Sequence, residues 1–205
     1  MYGELSRPQP SRLIAKRGGE RRELSTERLV LRAPCHDDAE ALVRLAGHEA
    51  VAAMATGLPH PFRPEDAAAL VRPAGDGEEA GRVHAVTRAA DLAVLGCCTV
   101  QLSATSAELN FWLGKPYWNQ GYMTEAAQAV IDLVFCGHEA VEQIDARCRA
   151  MNGAARRVLQ KCGFQFRASS LSASLSLHGK VAVDWYGLDR KTWSSLRRWG
   201  SLPRS

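Results

Sequence analysis

Between Glu108 and Phe135 the hydrophobic period changes from two to nearly four across a short break, and few architectures accommodate that change. From Glu108 to Leu113 polar and apolar residues alternate, the pattern of a half-buried strand. Leu109, Phe111 and Leu113 take one face, and Glu108, Asn110 and Trp112 the other. Gly114 and Pro116 end it. From Tyr122 onward, Ala126, Ala127, Val130, Ile131 and Val134 recur at helical spacing and predict a helix with one apolar face. The loop Trp118-Asn119-Gln120-Gly121 runs straight into that helix. The first turn of a helix carries N–H groups without acceptors and about half a positive charge. A glycine just ahead of it lets an anion approach those groups closely. A phosphate or diphosphate is the expected guest, although spacing alone also fits a glycine that only makes the turn.

The rest of the chain is read around this unit. Its 205 residues suit one domain with a substantial core, and 46% hydrophobic content excludes global disorder. No apolar run approaches a membrane span, and the arginine-rich start lacks the apolar segment of a secretory signal, so a cytoplasmic protein is expected. Cys35, Cys97, Cys98, Cys136, Cys148 and Cys162 form no Cys-x-x-Cys pair, and no histidine pair has ligand spacing. No metal site is expected, and the thiols read as reduced and buried. Positive charge collects at the ends: residues 1–24 hold six Lys/Arg against three Asp/Glu, and residues 189–205 five against one. A basic arm can contact nucleic acid or an acidic partner, or be a solvated tail. The first arm lacks interleaved aromatic residues and any nucleic-acid motif, which argues against nucleic acid.

Residues 1–23, rich in Arg, Pro and Gly, read as a basic extension, residues 24–193 as the domain and residues 194–205 as a basic tail. Leu24–Arg32 reads as the opening strand, ended by Pro34. Asp37 and Asp38 precede a helix through Leu42, Val43 and Leu45. Short helices are predicted over 48–55 and 65–71, with a surface loop at Gly75–Gly81. Strands follow at 82–87 and 92–102 as a hairpin, and at 141–149. Asn152 to Phe164 reads as a helix capped by Asn152 and closed by Gly163. Ser170–Leu177 and Val181–Leu188, joined at 178–180, make a last hairpin before a basic helical segment at Arg190–Trp199.

The block Phe111-Trp-Leu-Gly-Lys-Pro-Tyr-Trp-Asn-Gln-Gly-Tyr-Met-Thr-Glu-Ala126 closely resembles the acetyl-CoA signature of the GNAT superfamily of N-acetyltransferases. Within it the block most resembles the ribosomal-protein N-terminal (alanine) acetyltransferase branch, whose opening threonine-glutamate-arginine-leucine-x-leucine-arginine also stands here at Thr26–Arg32. Asn152, Arg157-Val158-Leu159, Lys161 and Gly163-Phe164 match a second ordered block of the family. The resemblance covers residues 24–193. It implies an α/β (α+β) acyl-CoA N-acyltransferase fold, with a mixed, mostly antiparallel seven-stranded sheet and helices on both faces.

The resemblance also implies acetyl-CoA as cosubstrate and direct transfer of its acetyl group to a primary amine, on a protein N-terminus or a small molecule. A rival reading is a catalytically degenerate domain that binds acetyl-CoA as a sensor or interaction module. Such a protein would be a monomer or homodimer with no membrane partner. Phe111, Trp112 and Leu113 would offer peptide groups to the pantetheine arm as an added strand would. Asn119, Gln120, Gly121, Tyr122, Met123 and Thr124 would cradle the diphosphate, and Asn152 would reach the pantetheine or acetyl region. Lys115 either meets a phosphate or is solvated, and His60 and Phe62 fall on the expected acceptor side.

Acetyl transfer needs a neutral amine, a held thioester carbonyl and a proton for the leaving thiolate. Glu108 is the candidate base, the family having a glutamate there; a solvated strand end is the alternative. The chain departs from the family at Met123, where relatives carry glycine or alanine and whose side chain needs room. It departs again at Ala155, where relatives place a serine to protonate the thiolate; Ser169, Ser170 or water are left for that duty.

Overall fold

The computed structural model describes residues 12–14, 23–71, 82–177 and 179–201. Most of the 1–23 extension, the loop expected at 75–81, position 178 and the last four residues lie outside them. Strands β1 (Arg12–Ile14), β2 (Glu23–Ser25), β3 (Leu29–Arg32), β4 (Arg82–Arg88), β5 (Val94–Leu102), β6 (Ser106–Leu113), β7 (Gln143–Arg149), β8 (Gln165–Ser174) and β9 (Gly179–Asp189) share one sheet. Its order is β1-β2-β3-β4-β5-β6-β7-β9-β8, antiparallel throughout except for the parallel pair β6–β7. The helices are α1 (Ala39–Ala46), α2 (Glu49–Met54), α3 (Pro64–Val71), α4 (Tyr122–Gly137), α5 (Gly153–Lys161) and α6 (Arg190–Ser201). Among the described residues no helix is long and apolar enough to cross a membrane.

The mixed, mostly antiparallel sheet is as expected, but among the described residues it has nine strands rather than seven. The opening strand expected at 24–32 is two strands, because Thr26 turns the chain. Its N–H donates to Leu29 O at 2.9 Å, and its hydroxyl accepts from Leu29 N–H at 3.1 Å. The other addition is β1, a three-residue strand from within the extension, paired with β2. The last hairpin also differs: β8 begins at Gln165, not Ser170, and the turn falls at 175–177. As an edge strand exposed over most of its length, β8 carries no alternation that would mark its ends.

Helices cover both faces. On one, Leu29, Leu31, Leu109 and Ile144 of the sheet bury against Ala126, Val130, Ile131 and Phe135 of α4 and Leu159 of α5. On the other, Cys97 and partly buried Trp112 pack with Leu42, Leu45, Val51, Phe62 and Ala67 from the α1–α3 region. Each large side chain so buried contributes about 1.5–3 kcal/mol. Phe62 is thus a core residue and not part of an acceptor surface. In β5 the register slips at Leu95, between the pairs Thr87↔Val94 and Val86↔Gly96. The slip puts Leu95 with the α4 side and Val94 with the α1–α3 side. The two faces meet the site where β6 and β7 part.

Candidate active site

Strands β6 and β7 pair only from Ser106↔Gln143 to Leu109↔Ala146. Beyond that, β6 runs on to Leu113 beside β5, and β7 to Arg149 beside β9, so the sheet opens into a V. The edge of β6 facing the V has lost its strand partner and is available to an extended guest. A cleft of about 360 Å³ fills the opening, a volume in the usual range for small-molecule sites. Phe111, Trp112 and Leu113 line it, though the Leu113 carbonyl already accepts from Trp118 Nε1 at 2.8 Å.

The floor is the start of α4. Gly121 precedes it at φ 79°, in the left-handed region, and Asn119 stands at φ 60°. Among the described residues no side chain caps this helix, and its first internal bond runs from Glu125 N–H to Gly121 O at 3.2 Å. The N–H groups of Tyr122, Met123 and Thr124 are therefore the orphan donors of the first turn. Asn119, Gly121, Tyr122, Met123 and Thr124 all line the cleft. Gln120 is the exception: it is exposed, its amide donates to Pro116 O at 2.8 Å, and it does not line the cleft. Met123 finds its room in the core, its sulfur 3.5 Å from that of Cys98.

Asn152 lines the opposite wall with both ends of its side chain engaged. Its Oδ1 accepts from Ala155 N–H at 3.0 Å and caps α5, while its Nδ2 donates to Met54 O at 3.1 Å. Arg149 donates to Ala53 O, and Ser176 to Ala52 O at 2.9 Å. Three donors from distant parts of the chain thus hold the last carbonyls of α2, whose Val51 and Met54 form part of the cleft wall. A cation at a helix C-terminus also suits the dipole.

The acid–base candidates stand apart from this cleft. Glu108 lies on the β6 face opposite the α4 core, Oε1 3.1 Å from Arg147 Nε and 3.2 Å from Asn110 Nδ2, and is not a lining residue. Ser169 donates to Asp184 Oδ1 at 2.7 Å and Ser170 accepts from Trp185 Nε1 at 2.8 Å, both outside the cleft. Ala155 does line it, without a proton to give. Lys115 is exposed and His60 half-buried, and neither contributes to the lining. Among the described residues no Asp, Glu or His lines the cleft.

Two cationic side chains of the second family block were given no role by sequence reasoning, yet they reach the cleft. Arg157 and Lys161 stand four residues apart, on one face of α5, and both line the cleft. A third, Arg28, reaches the outside of the cup, where it donates to Gln120 O at 3.0 Å. A thiol cosubstrate ending in a nucleotide diphosphate needs a slot for an extended arm and a cationic, carboxylate-free cradle. These residues fit that demand.

The sequence matches the acetyltransferase (GNAT) domain over residues 28–165, and the chain belongs to that family. It is an acetyl-CoA-dependent N-acetyltransferase with acetyl-CoA as cosubstrate. No curated protein matches the sequence. Among solved structures, a GNAT-family acetyltransferase from Bacillus anthracis is similar at 20% identity and TM-score 0.71, over 82% of this chain and 99% of that one. The ribosomal-protein-S5-alanine acetyltransferase from Vibrio fischeri is 16% identical, with TM-score 0.68 over 83% of this chain and 98% of its own. Spermidine N-acetyltransferase from Vibrio cholerae, solved with CoA and spermine, is 15% identical, with TM-score 0.68 over 81% and 98% respectively. At these identities the likeness is one of fold.

Proposed function

We propose that the protein moves the acetyl group of acetyl-CoA directly to a primary amine in a ternary complex, the acceptor being a protein N-terminus or a small-molecule amine. The observation that carries this reading is the uncapped start of α4 behind left-handed Gly121, facing into the V between β6 and β7. Acetyl-CoA supplies an acetyl group activated as a thioester. In this reading the N–H groups of Tyr122, Met123 and Thr124 bind the diphosphate, with Arg157 and Lys161 adding positive charge along α5. The edge of β6 at Phe111 and Trp112 orients the arm. The clamp on α2 by Arg149, Asn152 and Ser176 keeps the far wall at a fixed width.

Glu108 is proposed as the base. Its carboxylate is 29% exposed, so water can relay a proton to it from an amine entering the V from the β6 face opposite α4. Water likewise protonates the thiolate, Ala155 having no hydroxyl, and the proton that Glu108 took from the amine returns to the solvent to balance it. Calorimetry with CoA, together with a thiol-release assay over a panel of amines and N-terminal peptides, tests the proposal. Binding with thiol release supports transfer, and binding without release under every acceptor refutes it. Glu108→Gln is expected to lower turnover about 100-fold or more at neutral pH, with CoA affinity retained. Wild-type rates across about pH 6–9 in that variant would clear Glu108 of the role.

A further inference from the structure

Glu125 lies in the first turn of α4 and is only 6% exposed, a carboxylate buried directly behind the cup. Its Oε1 accepts from Thr26 Oγ1 at 2.6 Å and from the Arg28 backbone N–H at 2.9 Å. Its Oε2 accepts from Arg28 Nε at 2.8 Å. The same guanidinium donates through Nη1 to Gln120 O at 3.0 Å and lies 4.7 Å from the centroid of the Tyr122 ring. One side chain therefore joins the β2–β3 turn, the loop before α4 and the first turn of α4. Such a fork is a capability of arginine that lysine lacks.

We infer that Arg28 is a positioning residue for the diphosphate of the cosubstrate, aiming the loop's amides while neutralising Glu125. The inference rests on the reading of the α4 start as a diphosphate cup. In a trans peptide the C=O and the following N–H point in opposite directions. Gln120 O is held by Arg28, which lies outside the cleft, so the Gly121 N–H points away from Arg28. Gly121 itself lines the cleft, and in this proposal its N–H turns toward it. Gln120 sits between two left-handed residues, Asn119 and Gly121, whose conformations leave its peptide free to flip unless something holds it. An uncompensated carboxylate in the first turn would repel an anion bound at the same helix end. Paired with Arg28, Glu125 becomes an anchor for a cation at the rim.

The test compares CoA with pantetheine, which shares the arm but carries no phosphate. Affinities are measured by calorimetry for CoA and by ligand-observed NMR for pantetheine, on the wild type, Arg28→Ala and Arg28→Lys. Arg28→Ala is expected to weaken CoA about tenfold or more and to leave pantetheine within about twofold. Arg28→Lys, which keeps the charge and the fold, is expected to recover only part of the CoA loss, because an ammonium cannot bridge Glu125 and Gln120 O together. CoA affinity unchanged in Arg28→Ala overturns the inference, as does equal weakening of CoA and pantetheine, the mark of a general packing role. A wild-type protein that binds no CoA would overturn the cup itself, and this inference with it.

Discussion

Replacing Gly121 by alanine isolates the conformational cost of the cup. A Cβ at this position would meet only Arg28 Nη2, at 3.4 Å, so there is no steric clash to resolve. What remains is the dihedral: φ is 79°, and an L-residue held in the left-handed region costs about 1–2 kcal/mol. The free variant can respond in two ways. It can keep the native loop and lose that energy from folding, which for a chain of this size lowers Tm by about 2–8 °C. Alternatively it can relax the loop, keep its stability, and have to restore the strained form when CoA binds, losing about 5–30-fold in affinity. The strained bound state is common to both routes, so the folding loss and the binding loss must sum to about 1–2 kcal/mol however they divide. Thermal denaturation and calorimetry with CoA on the same preparation measure the two parts. Gly163→Ala is the control: φ there is 92°, and the displaced neighbour is the mobile end of Leu196, outside the cleft. It should lose stability and leave CoA affinity unaltered. A Gly121→Ala protein with neither Tm nor affinity changed, or with a combined loss well above the dihedral cost, would contradict a strained left-handed Gly121 in the bound state.

Asp38 is 4% exposed and takes two hydrogen bonds from Arg32, at 2.7 and 2.8 Å, and one from the Cys35 N–H at 2.7 Å. Burial pushes its carboxyl up, but the Arg32 guanidinium and the Cys35 N–H outweigh burial and hold it below the ordinary carboxylate value. A carboxyl lowered by folding stabilises above its unfolded pKa and loses that contribution as pH falls through the folded one. Asp38→Asn should therefore cost about 3–5 kcal/mol in urea melts at pH 7, with the gap to wild type narrowing as the pH drops below about 4; a pH-independent gap would contradict this. Among the thiols, burial pushes Cys97 and Cys162 up to about 12 and Cys148 to about 11, and raises Cys98 as well, whereas Cys136 is exposed. A thiol reagent at pH 8 should modify Cys136 in the folded protein and reach those four only after denaturation, as mass mapping would reveal.

The order of strand, loop and helix from Glu108 to Phe135 was legible in the chain because it is written in neighbouring residues. Alternation assigned Leu109 and Leu113 to one face of β6 and Trp112 to the other, and the two hydrophobic clusters divide them in the same way. The Asn152 cap and the Gly163 close of α5 were legible for the same reason: each concerns a bond or dihedral within a few residues. Gly121 and the apolar period after it located the start of α4, and of residues 119–124 only Gln120 does not line the cleft. Contacts that need two remote segments to meet came only with the packed fold. Arg28 and Glu125 are 97 positions apart, and Asn152 and Met54 are 98 apart. No periodicity relates such pairs. The parting of β6 from β7, which makes the cleft, depends on where β5 and β9 hold them, and neither strand encodes it alone. Local spacing specifies which backbone amides go unpaired at a helix start. Only the packed sheet determines what faces them.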